Sequence, residues 1–417
     1  MHIQTLLNRL EKYKGFIYQS VKLVGKGTEK TLEVSVIPRR NSHPQCSGCG
    51  ESRPGYDRLT ERRFEYVPLW GIPVFFVYVM RRVDCPVCGV KVEKVPWANG
   101  KHRQTKTFGW FLASWAKRLS WSETAAAFHT TWHHVFIAVE MAVEWGRNHM
   151  NLEGVTCLGF DELTWGPGHK YVTVVYQINA NCKRLLWVGE KRTVGTVRRF
   201  FDWFGPERSR ALEFICTDMW KPYLKVISER ASQALNILDR FHIMAHMNKA
   251  IDKVRAQEAR EIKANGDFPI LKNSRWLFLK RVENLTFKQI PKLAEILQYN
   301  LKTVRSYLLK EEFQFFWEYK SWYWAGRFMD NWCTKTMRSQ IDPMKGVAKM
   351  LRKHRPLIMN WFKAKGELSS GVVEGLNGKA KLTTKRAYGY RTYRALEISL
   401  FHALGKLPEP EFTHRFF

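Results

Sequence analysis

The spacing of apolar and polar positions changes character several times along the chain. Residues 1–100 alternate in short stretches near Leu32–Ile37 and Pro73–Val83, interrupted by frequent Pro and Gly, which predicts an irregular, β-rich module. From Thr107 to Trp145 the period lengthens, with Phe108, Phe111, Leu112, Trp115 and Leu119 on one helical face. Two shorter helices are expected at Ser122–Phe128 and Trp132–Val143, separated by His129-Thr130-Thr131. Those are helix-turn-helix proportions, with the second helix as the candidate for a DNA major groove; a plain helical hairpin fits too, because the turn has no Gly.

After Gly154 the pattern turns to strands at Val155–Asp161, Lys170–Ile178 and Arg184–Val188, then a helix at Val194–Phe204. A buried strand, Ala211–Thr217, leads to Asp218, and Lys221-Pro222 opens a further helix, since Pro is tolerated in a first turn. Leu235–Leu238 reads as one more strand, running into a helix at Ile243–Arg260. Three strands, helix, strand, helix, strand, helix is the order of an RNase H-like α/β fold. Residues 264–365 show no strand signal and are expected to be an all-α insertion. Trp276, Trp317, Trp322, Trp324 and Trp332 lie there at helical spacing and are expected to form its core rather than a base-stacking platform.

Charge narrows the partners. The 417 residues carry 68 Lys and Arg against 38 Asp and Glu, a formal +30 that disfavours a compact state unless a polyanion screens it. Double-stranded DNA is the expected partner. A membrane role would need an apolar span of about 20 residues, and none is present. The amphipathic start, MHIQTLLNRLEKYKGF, does not read as a signal peptide, so the expected location is the cytoplasm, associated with the nucleoid when DNA is bound. From Lys349 to Arg394 twelve Lys and Arg face two Glu, which makes Lys379, Lys381, Lys385 and Arg386 candidate phosphate contacts, alongside His133, His134 and the run Lys101-His102-Arg103.

Four of the eight Cys fall in repeated pairs, Cys46-x-x-Cys49 and Cys85-x-x-Cys88, 35 residues apart. In a reducing compartment this spacing predicts a structural zinc site of four thiolates on two knuckle turns, with Gly48, Gly50 and Gly89 letting backbone amides face sulfur. The intervening stretch has room for a hairpin. Redox chemistry is the weaker alternative, because no βαβ pattern surrounds either pair.

Asp161 and Asp218 are expected at the ends of the first and fourth strands after Gly154, which adjoin in such a sheet. Glu162 follows Asp161, but alternate strand residues face opposite sides, so only one of them should enter a common site. Glu374 is the sole acid between Leu368 and Arg394 and is the candidate third carboxylate; a salt bridge to Lys379 or Lys381 is its structural alternative. Oxygen ligands without a His/Cys cluster suit Mg²⁺ or Mn²⁺, and a pair of such ions supports in-line displacement at phosphorus.

Taken together, Cys46-Ser-Gly-Cys49, Arg81-Arg-Val-Asp-Cys85-Pro-Val-Cys88, Gly159-Phe-Asp161-Glu162, Thr217-Asp218-Met-Trp220-Lys-Pro-Tyr223, Asp239-Arg-Phe-His242 and Glu374-Gly-Leu-Asn377, with Lys381 and Arg386-Ala-Tyr-Gly-Tyr390, resemble the DDE transposases of bacterial insertion sequences, in particular the ISL3 group. The resemblance covers nearly the whole chain. It implies a zinc finger (1–100), a helix-turn-helix (101–150), an RNase H-like catalytic domain (151–263 with 366–417) and the α-helical insertion (264–365). It also implies the triad Asp161, Asp218 and Glu374. One departure is Ser369-Ser-Gly-Val-Val373, where relatives often carry a Thr-Asn-Gly-like stretch. Asp239 and His242 are expected either near the site or, for Asp239, as a helix start. The implied activity is metal-dependent cleavage and strand transfer at element ends by a homodimer or larger assembly. A non-catalytic, domesticated DNA-binding regulator and a nuclease that hydrolyses without joining are the alternatives.

Overall fold

A computed structural model describes residues 2–166, 168, 170–364, 371–387 and 389–411, with the side chain of Thr28 left aside. The chain divides into two compact units, residues 1–151 with 382–417, and residues 152–381.

The first unit begins with α1 (Ile3–Leu10), β1 (Phe16–Val24), β2 (Thr31–Pro38), β3 (Gly55–Leu69), β4 (Ile72–Cys85) and β5 (Gly89–Val92). The strands form one sheet in the order β1-β2-β4-β3, with β5 paired to β4. β3 and β4 make the hairpin expected between the Cys pairs. Its two-residue loop, Trp70-Gly71, holds both residues at positive φ (52° and 76°), as a turn matched to the strand twist requires. The sheet closes over Trp97, which is fully buried with Phe16, Tyr78 and Tyr13 rings at 4.9, 5.3 and 5.5 Å. Glu93 is buried too, yet it is satisfied: its carboxylate accepts from Tyr78 Oη (2.6 Å), the Arg81 amide (2.7 Å) and Arg81 Nε (2.9 Å).

Three helices follow: α2 (Lys106–Ala116), α3 (Trp121–Ala127) and α4 (Trp132–Asn148). Ser120 and Glu123 form a reciprocal capping box at the start of α3, and Thr131 caps α4. The turn between them contains His129 at φ 52°, so a non-Gly residue takes the left-handed position here.

The second unit contains β6 (Cys157–Gly166), β7 (Lys170–Asn179), β8 (Cys182–Glu190), α5 (Val194–Phe204), α6 (Pro206–Arg210), β9 (Phe214–Thr217), α7 (Lys221–Arg230), β10 (Leu235–Leu238) and α8 (Arg240–Ala264). The predicted strand at 211–217 is shorter than expected and begins only at Phe214, because Ala211 caps α6 in helical conformation and the Leu212 amide still donates to Ser209 O at 3.3 Å. Strand order is β10-β9-β6-β7-β8, with β6, β7 and β8 antiparallel and β9 and β10 parallel to β6. Six helices follow: α9 (Arg275–Leu279), α10 (Gln289–Leu297), α11 (Lys302–Gln314), α12 (Trp322–Arg338), α13 (Asp342–Lys353) and α14 (Arg355–Lys363).

The tryptophans of this helical stretch divide. Trp332 is buried, with its indole N–H donating to Leu309 O at 2.9 Å. Trp276, Trp322 and Trp324 are 57%, 46% and 56% exposed, so the expectation of a common aromatic core is corrected. The reason is positional: Trp322 and Trp324 occupy the first turn of α12, ahead of the buried stripe Ala325, Met329, Trp332 and Cys333.

Helix α15 (Gly371–Arg386) follows, and α16 (Tyr393–Leu404) is the last regular element among the described residues. Residues 382–417 belong to the first unit, whereas the sequence reading placed all of 366–417 with the sheet. Charge and packing explain the difference. Arg394 of α16 pairs with Glu140 at 2.8 Å and with Glu144 of α4, Arg147 pairs with Glu397 at 2.9 Å, and the Leu407 side chain covers Gly146. No helix among the described residues is long and apolar enough to cross a membrane.

Candidate functional site

The parallel register fixes where the first two carboxylates stand. Gly159 of β6 pairs with Cys216 of β9, and Asp161 and Asp218 each lie two residues further on. With a side-chain period of two, they follow the same face. Asp218 lies one residue past the end of β9, but Asp161, expected to end its strand, stands in the middle of β6, because pairing with β7 carries that strand on to Gly166. Asp161 is mostly buried, and burial pushes its carboxyl above the usual range, with the charges of Asp218 and Asp239 adding to the shift and His242 opposing it. Asp218 accepts from the Trp220 amide at 2.9 Å, which turns its carboxylate back over the start of α7.

Strand alternation separates Glu162 from Asp161 as expected. Phe160 and Glu162 face Tyr223 of α7, Phe160 by ring contact and Glu162 through the Tyr223 hydroxyl at 3.2 Å. Gly159 and Asp161 face α15, where a Cβ on Gly159 would overlap Val373. Glu162 is nonetheless tied to Asp218. Arg192 reaches Glu162 at 2.6 Å and Asp218 at 3.3 Å while lying over the Trp220 ring at 4.4 Å. Burial, with Asp218 nearby, raises Glu162 to about 7. Arg192 carried no motif signal, so sequence reasoning missed it.

Helix α15 contributes two positions one turn apart. Asn377 is buried; its side-chain N–H₂ donates to Asp161 Oδ2, and its carbonyl accepts from the Tyr176 hydroxyl at 2.7 Å. Glu374 precedes it by three residues and so lies on the same helical face. It is exposed and forms no hydrogen bond or ion pair among the described residues, so neither Lys379 nor Lys381 holds it. The three carboxylates do not converge into one tight cluster: among the described residues the one group of three or more His, Cys, Asp or Glu whose ligand atoms all lie within 4.8 Å of one another is Cys46, Cys49, Cys85 and Cys88.

Asp239 fills both expected roles. It caps α8 by accepting from the Phe241 amide at 2.8 Å, and its other oxygen meets His242 Nδ1 at 2.9 Å. That bond, reinforced by Asp161 and Asp218, raises His242 to about 9.

The four thiols sit where β4, β5 and a tight turn meet. Cys46 O accepts from the Gly50 amide at 2.9 Å, and Gly50 and Gly89 take the positive φ that closes each knuckle. The Gly48 amide faces Cys46 Sγ at 3.4 Å, and a Cβ on Gly48 would come 2.8 Å from Cys88 Sγ. Backbone amides lower Cys85 to about 6, while burial and the other sulfurs push Cys88 to about 12. Four unbridged sulfurs, all within 4.8 Å of one another, form a donor set that could bind zinc.

The predicted phosphate contacts are distributed unevenly. Lys379, Lys381 and Lys385 are exposed on α15, and Arg386 donates to Arg118 O. His133 is exposed at the start of α4, but His134 is engaged, 3.3 Å from Glu65 and 3.1 Å from Thr130. Lys101 and His102 lend their carbonyls to Arg62. Val135, Ala138, Val139, Ala142, Val143 and Gly146 of α4 are buried, and its exposed positions are Trp132 and His133 at the start and Glu144 and Asn148 towards the end.

Known proteins place these observations. Residues 158–400, from β6 through most of α16, match a family described as transposase, the DDE transposases of the ISL3 group. The chain is 28% identical over 351 residues to the transposase for insertion sequence element IS1001 of Bordetella parapertussis, covering 83% of this chain and 85% of that protein. It is also 28% identical over 387 residues to the transposase for insertion sequence element IS1557 of Mycobacterium tuberculosis, covering 87% and 86%. The chain belongs to the ISL3 group of DDE transposases.

Proposed function

We propose that the protein binds the ends of its mobile element and cuts and joins DNA at a site built from Asp161, Asp218 and Glu374. The observation that carries this reading is the placement of Asp161 and Asp218 on adjacent parallel strands, with α15 fastened to Asp161 by Asn377 one turn after Glu374. The strand order β8-β7-β6-β9-β10 supports an RNase H-like catalytic unit, with the helices of 264–365 as an insertion. The thiol cluster supports a zinc finger in residues 1–100, and α2 to α4 support a helix-turn-helix in 101–150. Residues 382–417 join that DNA-binding unit.

Asp161 and Asp218 offer hard oxygen donors that repel one another, which fits Mg²⁺ or Mn²⁺, with Glu374 as the further ligand. When bound, such ions supply an activated oxygen nucleophile and stabilise the leaving oxygen. The protein's own groups then position and neutralise. Asn377 fixes the rotamer of Asp161, Arg192 balances Glu162 and Asp218, and protonated His242 offsets the remaining negative charge. A non-catalytic regulator would have no need of three acids in this arrangement.

The test is strand transfer with pre-cleaved element ends. Asp161→Asn, Asp218→Asn and Glu374→Gln are each expected to abolish cleavage and joining while end binding survives. Near-normal joining by any one variant would remove that residue from the site. Cleavage without joining in the wild type would favour a nuclease.

A further inference from the structure

The first unit holds a cavity of about 670 Å³, between the α2–α3 turn, the start of α4, the end of α15 and α16. Its size lies within the range of sites that enclose a small organic ligand. Three aromatic rings line it. Trp121 stands in the middle, 5.9 Å from Trp132 and 6.1 Å from Tyr390, measured between ring centroids. Trp132 is 49% exposed although its other face is stacked on Phe136, with the two rings 7° from parallel. Its ring therefore presents surface on which a planar group can stack.

The charges are one-sided. Lys117, Arg386 and Arg391 line the cavity, and among the described residues no Asp or Glu does. Lys117 is paired with Glu409, and Glu123 lies close enough to feel Arg386, but Arg386 spends its bond on a neutral carbonyl. Arg391 is exposed and has no hydrogen bond or ion pair among the described residues. A stacking surface beside Arg391, which has no carboxylate partner among the described residues, and Arg386, which feels Glu123 but forms no ion pair with it, calls for a ligand with a planar apolar body and a negative charge. A nucleotide has that chemistry, and Arg is suited to the phosphate end.

We propose that this cavity receives one unpaired nucleotide of the DNA bound by the protein, its base against Trp132 and Trp121 and its phosphate on Arg391 and Arg386. The inference rests on the DNA-binding reading above and adds to it that the bound DNA is locally unpaired. Stacking of one base contributes about 1–3 kcal/mol, so an unpaired base should tighten binding on the order of 10-fold.

The experiment compares a fully paired duplex of the element end with the same duplex carrying a single-adenine bulge, by fluorescence anisotropy. Adenosine monophosphate serves as the free-nucleotide control. Trp132→Ala and Arg391→Ala change exposed side chains and should fold normally. The bulged duplex is expected to bind about 10-fold tighter to the wild type, and each variant should shrink that gap to about 2-fold or less. Equal affinity for the two duplexes, or a bulge preference untouched by both variants, overturns the inference while paired-end binding leaves the DNA reading intact. Adenosine monophosphate binding that depends on Trp132, without any bulge preference, assigns the cavity to a free nucleotide and also overturns it. Failure to bind either duplex defeats the DNA reading itself.

Discussion

The side chain of Val373 rests on the bare backbone of Gly159, so the first turn of α15 approaches β6 closely only because residue 159 has no Cβ. Gly159→Ala should push α15 outward and carry Glu374 away from Asp161. Overpacking of this kind costs about 1–3 kcal/mol. Urea unfolding should show the loss, and DNA cleavage should fall with it. Trimming the opposing side chain restores space, so Gly159→Ala/Val373→Ala should be more stable than the sum of the single changes. Strict additivity would mean the two residues do not press on one another.

Asn377 bridges Tyr176 and Asp161, so its loss strands two partly or fully buried polar groups. Asn377→Ala is expected to destabilise the protein by about 1–3 kcal/mol and to reduce cleavage more than end binding. Tyr176→Phe leaves the bond to Asp161 in place and should have the milder effect on cleavage. If the two variants cleave equally well, Asn377 does not position Asp161.

His242 is held protonated mainly by its bond to Asp239, with Asp161 and Asp218 contributing and His246 nearby. Its folded value of about 9 lies above the ordinary 6.5, so its contribution to stability is complete below about pH 6.5 and is lost as pH rises through 9. In chelator-treated protein the wild type should therefore lose stability over that window relative to His242→Gln. Denaturation midpoints from pH 6 to 10 would settle it. Parallel curves for the two proteins would count against the charged pair.

The thiol cluster should hold one zinc ion and depend on it for folding. Cys46→Ser or Cys88→Ser is expected to lower the metal content, unfold the β1–β5 module and weaken end binding. Gly48→Ala tests the geometry without removing a ligand, because the added methyl meets Cys88 Sγ. Elemental analysis finding no zinc in protein never exposed to chelator would overturn the assignment.

Much was determined by local sequence. Alternation placed β2, β4, β7, β8 and β10, helical spacing placed α2, α4 and α5, and the CxxC pairs announced their own convergence, because each pair is a short-range turn. The alignment of Asp161 with Asp218 was also foreseeable, since parallel pairing sets the two predicted strands in step, but the run of β6 past Asp161 to Gly166 was not, because it depends on pairing with β7. Only tertiary structure could decide contacts between segments far apart in the chain. Arg192 joins Glu162 to Asp218, Asn377 finds Tyr176 201 residues away, Arg394 draws α16 onto α4, and Trp322 and Trp324 stay outside their helical core. Periodicity records which face of an element is apolar; it carries no information about which partner that face meets, and charges and side-chain amides have no period at all.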